Sequence, residues 1–390
     1  MSAVPLTFVG HPFASTGVGE QIRSHVRAAA AIHLEPMLYD MFGYSARTDR
    51  DHIDLARRFE TPALPGGIRV FHINGDEVDA VERKLAERGA SLGDGYNVVV
   101  PAWELPVYPA HWARALGKFD EVWALSHFIA DSLKAAGLPS VYIGQSVEHE
   151  PRALLPRRHF GLRESAFVFL HFFDTTSYAT RKNPQAVLDL YRRLRVAHPM
   201  ADIQLALKVK TADTAAPDWK TAMGGAGHDV VLFDSVFSAY QTQSLIAACD
   251  CFVSLHRSEG FGRGLGEAMS MGRIALGTNW SGNTDFMTAE NSILVDVAMI
   301  PVGKGEYPEG EGQSWADPDI DHAFRQVDGL WDDAARRERL SANARTAALV
   351  RAGHKAVGKR ILDRANAIGK RVLYSTTGPI TVTEIPRCLR

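Results

Sequence analysis

The chain has 390 residues, 46% of them apolar and 23% charged, enough to bury a sizeable core and more than one ordinary domain needs. A formal net charge of -2 supplies no general attraction for nucleic acid or for an anionic membrane. Cys249, Cys251 and Cys388 are too sparse for a disulfide framework, and a C-x-C pair without a second cluster does not describe a zinc site.

The opening run MSAVPLTFVG lacks the basic segment and long apolar core of a leader, and no apolar run approaches the ~18 residues of a membrane span. The expected location is the cytoplasm, with at most peripheral contact at the inner face of the membrane. Leu6–Val9 reads as a buried strand. A glycine-containing loop follows, then a helix from about Gly19 to Ile32 on the spacing of Ile22 and Val26, capped by Ser15 or Thr16. Further strand-like runs lie at 68–73, 96–100, 121–125 and 141–143. The segment 148–163, rich in Pro and Arg, reads as a linker. The rhythm then restarts with strands at 166–173, 202–209, 230–233, 251–255 and 274–276, and a helix beginning near Pro184. Residues 332–369 are helical and charged. Strands alternating with helices predict two α/β domains built on parallel sheets.

Four segments carry residues suited to chemistry. In Ser254–Gly272 a strand ends in a glycine-rich loop and Glu267 opens a helix. Glu259 and Glu267 are eight positions apart, one in the loop and one in the first turn, and carboxylates accept well from sugar and ribose hydroxyls. Glu267 also suits simple complementation of the helix dipole. Arg181 and Lys182 precede a helix start, where two cations can hold a diphosphate, or lie solvated. Lys208 adds a cation near a strand end. The loop TGVGEQI contains Gly17 and Gly19 but lacks the third glycine of a dinucleotide fingerprint, and the acidic candidate Asp40 has poor strand context. In VVVPAWELPVYP, Trp103 offers a stacking face and Glu104 an acceptor or base, or the pair is a packed Trp with a solvated Glu. The D-x-D spacing of Asp317, Asp319 and Asp321 suits helix capping better than metal binding.

EGFGRGLGE resembles the E-x7-E motif of glycosyltransferase family 4, retaining enzymes with the GT-B fold. GTNWSGNTDFMTAENSILV, FFDTTSYATRKNP, AWELPVYPAHW, FDEVWALSHFIAD and VGKGEYPEGEGQSWADPDIDHA resemble a bacterial, mannosyltransferase-like branch that builds surface polysaccharides. The resemblance implies an α/β, GT-B architecture. Two Rossmann-like domains would face a cleft, 1–160 for the acceptor and 161–355 for the donor, with 356–390 forming a helix and tail that cross back onto the N-terminal domain. It implies that Glu259 contacts the donor sugar, Glu267 holds the ribose, and Arg181 and Lys182 neutralise the diphosphate. Gly17, Gly19, Lys208, Phe261, Gly262, Arg263 and Gly264 would complete donor binding. Trp103 and Asp76 would meet the acceptor, and Glu104 would stand near the reacting carbon. The co-substrate would be a GDP- or UDP-sugar, with no metal or other cofactor, and the acceptor a saccharide or lipid-linked saccharide. A nicotinamide-dependent oxidoreductase and a non-catalytic sugar-nucleotide or glycan-binding protein are the alternatives.

Overall fold

A computed structural model describes residues 5–43, 49–210 and 229–376. They form two compact units, one from residues within 1–146 and 352–390, the other from 147–351.

The first unit holds a six-stranded parallel sheet in the order β2-β1-β3-β4-β5-β6. Its strands are β1 (Leu6–Gly10), β2 (Met37–Asp40), β3 (Ile68–Phe71), β4 (Tyr96–Val99), β5 (Glu121–Ala124) and β6 (Val141–Tyr142). Helices α1 (Gly17–Ala30), α2 (Arg50–Phe59), α3 (Val78–Glu87), α4 (Ala110–Leu116) and α5 (His127–Ala135) are its connections. β1, β3 and β5 are buried at every position, as strands covered on both faces must be, and apart from Thr7, Arg69 and Glu121 they are apolar. Asp40 closes a genuine strand, paired with β1 at Gly10, so its expected lack of strand context is corrected. The short run Met37–Asp40 carries too little periodicity to announce itself. Asp40 Oδ1 accepts the Gly43 amide at 3.0 Å and shapes the turn after the strand.

The second unit repeats the plan with the order β12-β11-β10-β7-β8-β9. The strands are β7 (Phe167–Asp174), β8 (Ile203–Lys210), β9 (Val230–Asp234), β10 (Cys251–Ser254), β11 (Ile274–Thr278) and β12 (Ile293–Val295). Its helices are α6 (Ala179–Lys182), α7 (Pro184–Ala197), α8 (Ala239–Ala248), α9 (Arg263–Ser270), α10 (Ile320–Val327) and α11 (Ala334–Ala352). Its core gathers Phe169, Leu205, Val253, Leu276 and Leu194 between sheet and helices. Cys249 and Cys251 are free and buried there, their thiols pushed up by burial. An antiparallel hairpin, β13 (Val297–Pro301) with β14 (Ser314–Pro318), follows β12 and carries a long loop. Asp319 caps α10 by accepting the His322 amide at 2.9 Å, the capping role expected of this acidic run.

The helical stretch near the C-terminus is two helices, α11 and then α12 (His354–Thr376), and α12 belongs to the first unit. Gly358 makes its approach to α1 possible: a Cβ there would lie 2.2 Å from the Ala28 carbonyl oxygen. Arg360 Nε donates to the Ile143 carbonyl at 2.6 Å, and Arg364 Nε to Glu121 Oε1 at 2.6 Å. The expected domain borders at 160 and 355 move to 146 and 351. The cause is residues 148–163, which pack on the second unit instead of running free. Arg157 donates to Asp250 at 2.7 Å and to the Ala248 carbonyl at 2.8 Å, and Arg152 to Gln243 at 2.5 Å. The tail expected beyond residue 376, with Cys388, lies outside the described residues.

Candidate functional site

In the second unit the chain runs outward through β7, β8 and β9, then returns to start again at β10 beside β7. Loops leaving the carboxyl ends of β7 and β10 therefore diverge, and such a switch point is where open α/β sheets place ligands. β7 delivers a 3-10 turn and then α6, which carries Arg181 and Lys182. β10 delivers the loop to Glu259 and then α9.

The two loops meet through charge. Lys182 Nζ donates to Glu259 Oε1 at 2.5 Å, and Arg181 Nη1 lies 3.3 Å from Glu259 Oε2. Arg181 is 4% exposed and is held further by its donation to the Ser258 carbonyl at 2.9 Å. Two further bonds fix the same junction: the Arg257 backbone amide donates to the Arg181 carbonyl at 2.8 Å, and the Asn183 side chain donates from Nδ2 to the Leu255 carbonyl at 3.0 Å. Burial alone would push the Glu259 carboxyl up, but Lys182 and Arg181 outweigh it and hold its pKa at about 2. Glu259 is therefore ionised throughout the physiological range. Burial drops the neighbouring His256 to about 4, so its ring is neutral, and its Nε2 lies 3.1 Å from Asn283 Oδ1.

The wall opposite is the turn 281–285. The Glu259 amide donates to Ser281 Oγ at 3.0 Å, and the Gly282 amide to the Glu259 carbonyl at 2.9 Å. Ser281 holds φ 75°, a strained value for a side chain-bearing residue. Gly282 has no alternative, because a Cβ would lie 2.1 Å from the Gly260 carbonyl oxygen. Sequence reasoning missed Ser281, whose role depends on a backbone angle that no spacing reveals.

Glu267, in the first turns of α9, is 7% exposed and pairs with Arg263 at 2.7 Å. Gly262 starts α9 from the left-handed region at φ 84°. Gly264 lies where a Cβ would meet the Phe252 and Phe172 rings at 2.7 and 2.9 Å, so close packing accounts for its lack of a side chain. Phe261 turns its ring inward onto Phe286, leaving only its backbone for any ligand. Lys208 sits with its ammonium 5.3 Å from the Phe237 ring centre, its pKa lowered by burial and by Lys210. Among the described residues no ion pair brings Lys208 to Glu259.

In the first unit the sheet switches direction between β1 and β3. Gly19 is committed: its amide donates to Thr16 Oγ1 at 3.2 Å, and a Cβ would lie 2.1 Å from the Ala14 carbonyl oxygen. The donor-binding role expected of Gly19 is thereby corrected to capping and packing α1. Gly17, at the start of the helix, has open space above its Cα. Trp103 is corrected from a stacking face to a core residue. It is 3% exposed, donates from Nε1 to the Val107 carbonyl at 2.9 Å, and lies edge-on to Tyr108 and Trp112 at 5.6 and 5.5 Å. Glu104, beside it, is half-buried. Asp76 is exposed on the 3-10 turn after β3, its carboxyl raised by partial burial and by Glu77. Sequence reasoning missed the pair between these strand ends: His11 Nε2 and Glu77 Oε1 lie 2.7 Å apart, with the His11 ring stacked on Phe42 at 3.9 Å. Nothing short of the sheet order shows that residues 66 positions apart meet there.

Residues 175–301 match the family described as Glycosyl transferases group 1, a segment inside the second unit that contains Arg181, Lys182, Glu259 and Glu267. The chain thus carries a group 1 glycosyltransferase domain and is a transferase enzyme. No curated protein matches it in sequence. Solved structures with the same fold include HepE from Anabaena, in complex with UDP and glucose, at TM-score 0.65 and 12% identity over 93% of this chain and 100% of that one. Sucrose-phosphate synthase from Thermosynechococcus elongatus matches at TM-score 0.64 and 12% identity, over 96% and 100%. A glycosyltransferase from Rickettsia africae matches at TM-score 0.63 and 12% identity, over 94% and 99%. The fold shared with them is GT-B.

Proposed function

We propose that the enzyme moves a hexose from a nucleoside-diphosphate sugar to a hydroxyl of a saccharide or lipid-linked saccharide, with retention at the anomeric carbon, in surface-polysaccharide assembly. The observation that carries this reading is the ionised Glu259 carboxylate clamped between Lys182 and Arg181 at the switch point of the second sheet, inside the matched segment. Two cations and one carboxylate form a group that a diphosphate and a sugar can divide between them. Diphosphate oxygens draw Lys182 and Arg181, and Glu259 then accepts from sugar hydroxyls instead. Glu267 serves the ribose in the same way, exchanging Arg263 for hydroxyl donors.

In the transfer step the bond from the anomeric carbon to the diphosphate oxygen breaks and its electron pair leaves with the phosphate. The acceptor oxygen bonds to the anomeric carbon on the same face, and its proton passes to a phosphate oxygen of the leaving group. Lys182 and Arg181 stabilise the charge that develops there, without a metal ion. Glu259 is not a nucleophile in this scheme, unlike the second carboxylate of a retaining glycosidase. In the first unit the residues proposed for the acceptor are Glu104 and Asp76.

Structures of HepE with UDP-glucose support a UDP-hexose as donor. The resemblance in AWELP and SGNTDFM supports GDP-mannose. Incubating the protein with each donor and a monosaccharide acceptor, and reading the product's anomeric proton by NMR, tests the reading. An α-linked product from an α-linked donor is expected. A β-linked product contradicts retention, and failure to consume any donor contradicts transfer.

A further inference from the structure

Tyr178 is out of keeping with a residue placed for packing. It holds φ 60° and ψ 92°, a region that glycine occupies freely and a side chain-bearing residue occupies only under strain. Its side chain is nevertheless large and 43% exposed. Its carbonyl accepts the amides of Arg181 at 3.0 Å and Lys182 at 3.3 Å, so the strained residue is the start of the turn that carries both cations.

A second tyrosine meets it from a distant part of the chain. Tyr307 lies in the loop joining β13 and β14, and its ring centre is 5.0 Å from that of Tyr178 at an interplanar angle of 59°. Tyr307 is buried, backed by Trp315 at 6.5 Å, and the Arg181 guanidinium lies 5.9 Å from its ring centre. The order of contacts is therefore Glu259, Arg181, Tyr307, Tyr178. An anchored aromatic ring and an exposed one adjoin a group of charges able to bind hydroxyls and phosphate.

We propose that Tyr178 and Tyr307 form a carbohydrate-stacking subsite that takes the C–H face of a pyranose ring beside Arg181. A pyranose has an apolar face and polar edges, and this site offers an aromatic surface next to charged hydrogen-bonding groups. Burial does not explain the Tyr178 ring, since it is exposed. Backbone geometry does not explain it either, since glycine would suit the angles better. What remains is the face that the ring presents. Tyr307 fixes that face, and the hairpin is the element that supplies it. The subsite rests on the nucleotide-sugar reading above. The ring it takes is either the donor's hexose or a residue of the acceptor.

The test compares wild type with Tyr178→Phe and Tyr178→Gly. Calorimetry measures Kd for UDP, UDP-glucose, GDP and GDP-mannose, kinetics measures KM for methyl α-mannoside as acceptor, and thermal unfolding measures Tm. Phenylalanine keeps the face and leaves every value near wild type. Glycine relieves the strain, so its Tm equals or exceeds wild type, while affinity for one saccharide falls about tenfold. If the loss falls on the nucleotide sugars and not on the bare nucleotides, the subsite holds the donor sugar. If it falls on the acceptor KM alone, it holds the acceptor. Unchanged values in Tyr178→Gly for both saccharides, with wild type binding UDP or GDP, overturn the subsite and leave the nucleotide-sugar reading standing. Wild type binding none of the four nucleotides overturns both.

Discussion

Lys182 and Glu259 stand 77 positions apart in sequence and 2.5 Å apart in space, Nζ donating to Oε1. One comes from the turn after β7, the other from the loop after β10, and the switch in strand order makes them neighbours. Arg181 shares the Glu259 carboxylate and the Lys182 side chain is 21% exposed, so either cation alone leaves the carboxylate paired. Removing both would strand the carboxylate, at a cost of ~3–5 kcal/mol. The site is thus a folding element as well as a candidate donor site, and the predictions separate the two roles.

Glu259 gives stability a defined pH dependence. Its folded pKa of about 2 lies below the ordinary 4.5, so the unfolded chain binds more protons between those values. The stabilisation is fully present above pH ~4.5 and is lost as pH falls through about 2, in total about 3 kcal/mol. Urea unfolding of wild type and Glu259→Gln at pH 5, 4 and 3 should show the difference between them shrinking with acid. A constant difference contradicts the ionised, paired carboxylate.

Buried histidines act over a higher window. His25, His171 and His256 are each lowered to about 4 by burial, against an ordinary 6.5. The unfolded chain takes up protons there first, so stability declines as pH falls from ~6.5 to ~4, by up to about 1.4 kcal/mol per pH unit for each ring. Proton uptake on unfolding, measured in two buffers of different ionisation enthalpy at pH 5.5, should be positive. Release of protons at that pH would be the contrary result.

Gly17 and Gly19 separate by substitution. Gly17→Ala points into open space and should leave stability within about 0.5 kcal/mol of wild type or raise it, since alanine favours helix. Gly19→Ala drives a methyl to 2.1 Å from the Ala14 carbonyl and should cost at least ~2 kcal/mol. Chemical denaturation of both variants decides it, and equal effects contradict the packing described.

How far these features could be read from sequence follows from their physics. The central strands were legible because burial on both faces leaves mostly apolar runs, around Val70, Val98 and Val122. β2 and the β13–β14 hairpin were not, being short or half-exposed. The Arg181–Lys182 pair and the Glu259 loop were legible as separate segments from residue type and glycine spacing. Their direct pairing depends on sheet order, as does the meeting of His11 with Glu77. Trp103 was misjudged as a platform because a sequence does not show that Tyr108 and Trp112 cover its ring. Tyr178 went unremarked because its interest lies in a backbone angle.

Trp103 provides a check on that correction. As a core residue its replacement by alanine should cost ~3–5 kcal/mol. Tyr108 and Trp112 would lose their packing partner. Trp103→Phe should recover most of that stability, minus the bond from Nε1 to Val107. Denaturation of the two variants reads the outcome. Full stability of Trp103→Ala together with a raised acceptor KM would restore Trp103 as a binding face.

The most direct test of the donor site is release of nucleoside diphosphate from UDP-glucose and GDP-mannose by wild type and Lys182→Ala, both shown folded by circular dichroism. The predicted result is turnover of at least one donor by wild type and at least ~100-fold less by Lys182→Ala, the scale of losing one preorganised charge contact to the leaving group. Equal turnover by the folded variant, or none by wild type with either donor, would contradict it.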